Sequence, residues 1–234
     1  TVFIGSGAGE AATTGDYNVA VGSEALTALT TASSNTAVGY AALTANTTGT
    51  QNTAVGSLAL DANTTVNYLT AFGYNALGAN TTGEKNTAIG RAAIQSSTTV
   101  SENTAVGYNA LSGGSLAGGN NTAIGSSALS TLTTGTDNTA VGRNALEAST
   151  TGSNNTALGR ESLASNTTAS NNIAVGYNAL LVNTTGHSNV AIGAYALDAN
   201  TTANHNTAVG IYTLSANTTG QDNVAVGDYA LYAN

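Results

Sequence analysis

The sequence predicts an all-β fold, a parallel β-solenoid (β-roll) of fourteen 17-residue coils, and three observations predict it. The first is a fixed period. A glycine inside an Ala-Val-Gly core recurs at Gly5, Gly22, Gly39, Gly56, Gly73, Gly90, Gly107, Gly125, Gly142, Gly159, Gly176, Gly193, Gly210 and Gly227. Every interval is 17 residues except Gly107 to Gly125, which is 18. Self-similarity at a fixed period is the mark of a repeat array in which each unit buries its apolar face only against its neighbours. The second observation is residue type. Seventeen residues leave no room for a helix pair, and Thr, Val, Gly and Asn dominate the repeat. The third is the small number of charges, 16 among 234 residues, against roughly a quarter in ordinary soluble domains.

Numbering the repeat from Asn35 as position one, Asn-Thr-Ala-Val reads as a short strand ended by the glycine of position five. Ala-Leu-x-Ala-Asn-Thr-Thr, positions eight to fourteen, reads as a second strand. Strands stacked about 4.8 Å apart would give fourteen coils a length of about 65 Å. Position three is Ala in every copy but the first, which has Phe3. Position four is always Val, Ile, Leu or Phe, and position nine is Leu except at Ile94 and Gly9. Alternation sends Thr36 and Val38 to one face and Ala37 and Gly39 to the other.

A strand apolar on both faces is covered on both. Either the Val/Ile face or the Ala/Gly face is therefore expected to pack beyond its own coil, most economically on another copy of the chain. The alternative is an Ala ladder lining a very thin interior. Position five demands a glycine for φ > 0 or close approach. The Asn of position one should stack on its copies 17 residues away and share amide hydrogen bonds along the stack. Residues 1–234 read as one tandem array, a segment of a longer one. Its irregular coil lies at 112–120, and a local repacking is expected where Leu69 replaces the Asn.

The formal net charge of −8 and four Lys and Arg exclude a phosphate-neutralising surface, so no nucleic-acid partner is expected. The chain has no cysteine, hence no disulfide or thiolate metal site. No run of about 18 apolar residues exists, so no membrane insertion is expected in this segment.

The repeat Asn-Thr-Ala-Val-Gly-x-x-Ala, as in Asn103 to Ala110 and Asn138 to Ala145, resembles the Asn-Ser-x-Ala-Ile-Gly-x-x-Ala repeats in the heads of trimeric autotransporter adhesins. It is equally similar to repeats of some phage tail-fibre proteins. The resemblance spans all fourteen copies and implies trimers of left-handed parallel β-rolls. The present repeat is longer and carries a constant Thr-Thr segment.

No recurring carboxylate pair or phosphate-cradling motif is present, and no catalytic, cofactor or metal residue is assigned. His187 and His205 fall in polar turns, where solvated side chains are expected. Three functional readings remain. The first is a non-catalytic structural or adhesive segment of an extracellular fibre, cell-surface appendage or virion fibre. Such a segment would associate with itself, as a homotrimer or an end-to-end filament, and with host-surface or matrix glycans. The second is an ice- or crystal-surface binder using the Thr-Thr ladder of positions thirteen and fourteen: Thr47 and Thr48, Thr64 and Thr65, Thr81 and Thr82, Thr167 and Thr168, Thr184 and Thr185, Thr201 and Thr202, Thr218 and Thr219. Neighbouring threonines should face opposite sides, leaving one column outward. The third is a polysaccharide-binding tail fibre with a carboxylate-lined groove near residues such as Glu161. Position twelve, at Asn46, Asn63, Asn80, Asn166, Asn183, Asn200 and Asn217, matches the glycosylation acceptor pattern, as do Asn120 and Asn154.

Overall fold

A computed structural model of the chain describes every residue but Ser115, in the irregular stretch, and Asn234, the twelfth residue of its copy. It is all-β, a parallel β-solenoid of stacked coils, with no helix among the described residues. The chain divides into two compact units, residues 1–119 and 120–234, and the division falls at the end of the irregular stretch. The first unit holds β1 (Val2–Ile4), β2 (Val19–Val21), β3 (Thr36–Val38), β4 (Thr53–Val55), β5 (Thr70–Phe72), β6 (Thr87–Ile89) and β7 (Thr104–Val106). The second holds β8 (Thr122–Ile124), β9 (Thr139–Val141), β10 (Thr156–Leu158), β11 (Ile173–Val175), β12 (Val190–Ile192), β13 (Thr207–Val209) and β14 (Val224–Val226). Within each unit successive strands pair in parallel with like positions opposite, as Ala37 opposite Ala54 and Ala157 opposite Ala174.

Each copy contributes one strand of three residues, positions two to four. The second strand expected at positions eight to fourteen does not form. Positions seven and nine take the left-handed conformation in the copies that follow the first, for example Ala41 at φ 53° and Leu43 at φ 52°. Two such residues flanking position eight bend the chain, so that Ala42 and Leu43, adjacent in sequence, are both buried. In a strand they would point to opposite faces. A third left-handed corner lies at position seventeen, as in Gln51 at φ 58°. Left-handed β-branched or bulky residues are costly, and here burial of the leucine row holds them.

The invariant glycine answers to both reasons foreseen for it. Gly90 has φ +133°, and a Cβ built on it would lie 2.4 Å from the carbonyl oxygen of Gly107, one coil on. Its own N–H donates to the Phe72 carbonyl, one coil back, at 2.7 Å. The backbones of neighbouring coils touch at this column.

The Ala ladder faces inward: Ala37, Ala54, Ala88 and Ala105 are fully buried, as are Ala140 and Ala157 in the second unit. This is the thin-interior alternative, and it removes the Ala/Gly face as a surface for another chain. The interior also holds Ala and Leu of positions eight and nine, position-fifteen residues such as Val66 and Val100, and two columns rich in asparagine, the second of them interrupted by Leu29, Ser97, Leu132 and Ser149. At position one, the backbone N–H of Asn155 donates to Asn138 Oδ1 at 3.0 Å, while Asn155 Nδ2 donates to the Ala169 carbonyl at 2.9 Å. The same pattern recurs at Asn52, Asn172 and Asn189. The amide thus satisfies buried corner backbone that has no strand partner. Leu69 replaces one rung; it is buried, and its N–H still donates to Asn52 Oδ1 at 2.9 Å.

The first copy exchanges two residues. Phe3 stands where the others have Ala, and Gly9 where they have Leu or Ile. A Cβ on Gly9 would meet the Phe3 ring at 2.4 Å, so the ring occupies the space of the missing leucine. Because Phe3 is only half-buried, Phe3→Ala should cost about 2 kcal/mol, less than a fully buried Phe. Gly9→Leu alone should also destabilise. Denaturant melts of the two single variants and the double variant should show strong coupling, with the double variant recovering most of the loss. At the glycine column, Gly90→Ala should cost at least about 3 kcal/mol. The control Gly114→Ala, a glycine with open space around it, should stay within about 0.5 kcal/mol of the parent.

Candidate functional surfaces

What points outward is set by the strand. Positions two and four flank the buried alanine and form two columns on the outer sheet face of each unit. Every residue in them is Val, Ile or Thr except Phe72 and Leu158, and none is charged. They are half-buried to exposed; Phe72 and Ile89 are each 41% exposed and Leu158 is 47% exposed. Of the two faces considered for contact with another chain, this is the one available. β-Branched side chains have few rotamers, so the face is stiff, with an apolar column at position four beside a threonine-rich one at position two.

The threonine ladder has two unlike columns. Position thirteen turns its hydroxyl along the stack: Thr47 Oγ1 donates to the Thr64 carbonyl at 3.1 Å, Thr81 to Thr98 at 3.1 Å, Thr167 to Thr184 at 3.1 Å, Thr184 to Thr201 at 3.1 Å and Thr201 to Thr218 at 3.4 Å. Position fourteen (Thr48, Thr65, Thr82, Thr168, Thr185, Thr202 and Thr219) is exposed throughout. Thr64 and Thr218 are exposed as well. The outward column is therefore position fourteen, while position thirteen caps the backbone of the next coil.

Position twelve is the reverse of an acceptor surface. Asn46, Asn63, Asn80, Asn166, Asn183 and Asn200 are fully buried and Asn217 is 3% exposed. Asn183 Nδ2, the atom a glycan would occupy, donates to the Gly186 carbonyl at 2.8 Å and to Asn166 Oδ1 at 3.1 Å. These seven asparagines are a second internal ladder, and the expectation of glycans there is corrected on that ground. Asn120 and Asn154 are exposed corner residues. Folded protein from a glycosylating host should therefore carry glycans at those two sites at most. Intact mass should return to that of the bare chain in Asn120→Gln/Asn154→Gln.

Charges and rings gather at positions six and seven. Arg91 lies between Tyr74 and Tyr108, its guanidinium carbon 5.7 and 5.4 Å from their ring centres, a cation–π arrangement. In the second unit Glu161 accepts from Arg160 at 2.8 Å and Arg143 at 3.3 Å. The hydrogen bond from Arg160 is the largest cause holding the Glu161 carboxyl below its ordinary range. Arg160 also lies over Tyr177 at 5.4 Å. The carboxylate named for a saccharide groove is thus engaged by two arginines.

Sequence reasoning missed a row of tyrosines that follows. Tyr195, Tyr212 and Tyr229 occupy position seven of three successive copies, with Tyr195 and Tyr212 stacked at 4.7 Å and Tyr212 and Tyr229 at 5.3 Å. Tyr177 meets Tyr195 edge-on at 5.2 Å, and Tyr232 lies 5.8 Å from Tyr229. Partial desolvation, reinforced by a hydrogen bond with Tyr177, raises the Tyr195 phenol above its ordinary value. The 17-residue spacing of the three tyrosines was the available signal.

His187 and His205 come together edge-on at 5.2 Å, both exposed, with His205 Nδ1 3.5 Å from Asp222. Among the described residues no group of three or more His, Cys, Asp and Glu side chains is gathered for a metal ion. No protein-family model, curated protein or solved structure matches the chain.

Proposed function

We propose that the chain is a non-catalytic structural and adhesive segment of an extracellular fibre, cell-surface appendage or virion fibre. In this reading copies associate through the outer sheet face as a homotrimer, or through the ends of the coil stack as an end-to-end filament, and turn their variable positions toward a host surface or matrix glycan. The observation that carries it is the face formed by positions two and four. Its two columns run through each unit without a charge, on strands whose other face is already buried. Sheets bury such faces against another sheet about 10 Å away. The adhesin-head resemblance of the repeat supports the same arrangement.

Supporting it also is the division of labour within the repeat. Positions one, three, five, eight, nine and twelve are taken up by the interior. Substitutions that would alter a binding surface fall at positions six, seven, ten, sixteen and seventeen, where they leave the interior unchanged.

Light scattering on a size-exclusion column should return a multiple of the 22.8 kDa chain, three-fold for the adhesin-like arrangement. A lysine in the face of each unit, Val38→Lys and Val175→Lys, should lower that mass to one chain while the circular dichroism spectrum is kept. A parent chain that is already monomeric overturns the reading. The exposed Thr column at position fourteen then becomes the leading surface, for an ordered solid such as ice.

A further inference from the structure

We propose that the tyrosine row Tyr177, Tyr195, Tyr212, Tyr229 and Tyr232 is an oxidative modification site. There a peroxide-driven one-electron oxidant of the haem peroxidase class couples neighbouring phenols into dityrosine, bonding successive coils to one another. The inference stands apart from how copies of the chain associate, since the bonds form within one chain.

Three observations carry it. The first is proximity: each ring touches the next at 4.7 to 5.8 Å between centres, and Tyr212 also meets Tyr232 at 6.3 Å. The second is orientation. Tyr229 and Tyr232 are tilted at 52°, and Tyr177 and Tyr195 lie at 87°, the edge of one ring toward the other. The stacked pairs reach the same geometry by a swing about the Cβ–Cγ bond. The third is access: Tyr177, Tyr229 and Tyr232 are 37%, 60% and 48% exposed, so an oxidant reaches the row at both ends. The first unit provides the contrast. Among its described residues Tyr17, Tyr40, Tyr68, Tyr74 and Tyr108 make no tyrosine–tyrosine ring contact, and Arg91 separates the last two.

The chemistry balances. Each of two phenols gives up one electron and its phenolic proton, forming two phenoxyl radicals. These join through a carbon–carbon bond between ortho carbons. Each ring then loses its ortho hydrogen as a proton while its oxygen takes one back, restoring two phenols. The two electrons and two protons reduce one hydrogen peroxide to two waters. Ring-to-ring contact lets a radical formed at an exposed end exchange along the row until it meets a second one. A bond between adjacent coils closes a loop of chain and narrows the unfolded ensemble as other cross-links do.

The test treats the full chain at high dilution with a haem peroxidase and limiting hydrogen peroxide. Dityrosine fluorescence should appear, with an intact mass lower by two hydrogens per bond and no dimer on a denaturing gel. Unfolding and cleavage before Asp198, Asp222 and Asp228 separates Tyr212 from Tyr195 and from Tyr229. Cross-linked fragments should join Tyr212 to one or the other. Tyr212→Phe keeps an aromatic ring in the stack but lacks the phenol, and it should abolish those joined fragments. It should leave Tyr229 to Tyr232 coupling within the last fragment intact. Absence of dityrosine overturns the proposal. So do joined fragments that persist in Tyr212→Phe, or bonds formed equally at Tyr17, Tyr40 and Tyr68.

Discussion

Contact between the backbones of successive coils is the constraint from which the other features follow. At position five the chain passes so close to the next coil that no side chain fits between them, and its dihedral angles exclude any residue with a Cβ. Strands stacked at that distance in parallel register make every column of the repeat a line of identical neighbours. A residue is then tolerated only if it can sit on copies of itself. Alanine inside the strand, leucine at the corner and threonine on the outside all meet that condition, because each packs on its own shape without charge repulsion.

A coil of seventeen residues encloses little volume, and most of its backbone is in corners rather than strands. Corner N–H and carbonyl groups face the interior, where water does not reach them. The two asparagine columns answer this need. At position one each amide takes a backbone proton from the next rung with its oxygen and gives a proton to a corner carbonyl with its nitrogen. At position twelve the amide nitrogen bonds the carbonyl three residues on and the oxygen of a neighbouring rung. A side chain with one donor and one acceptor end is suited to such a column; where the column is interrupted, at Asn63 and Asn80 beside Ser97, the amide oxygens stay buried without a partner. The threonine hydroxyls of position thirteen do the same for backbone nearer the surface. Their neighbours at position fourteen are free of that duty.

Outside these columns the repeat is permissive. Arginine, tyrosine, histidine and the acids occur at positions six, seven, ten, sixteen and seventeen, where side chains leave the coil. Stacking acts there too, but as opportunity rather than requirement. A tyrosine one period from a tyrosine becomes a ring pair, an arginine one period from a tyrosine becomes a cation–π pair, and histidines 18 apart meet at a corner. Surface chemistry in this fold is written as coincidences of period, independent of the core.

The period, the residue types and the scarcity of charge were enough to specify a parallel β-solenoid, its first strand and the need for glycine at position five. Those are properties that repeat with the sequence, and a stacked array turns sequence period directly into spatial neighbourhood. What the sequence left open was direction. Alternation separated Ala37 from Thr36 and Val38 without saying which side was interior, because alanine is small enough for either. Ala42 and Leu43 looked like neighbours in a strand, and only left-handed corners at positions seven and nine turned both inward. Asn46 looked like a glycan acceptor because its buried partner, the Gly49 carbonyl, is made available only by the bend between them. Inside and outside depend on how the corners close the coil, and the closing of a coil is a property of its three-dimensional path.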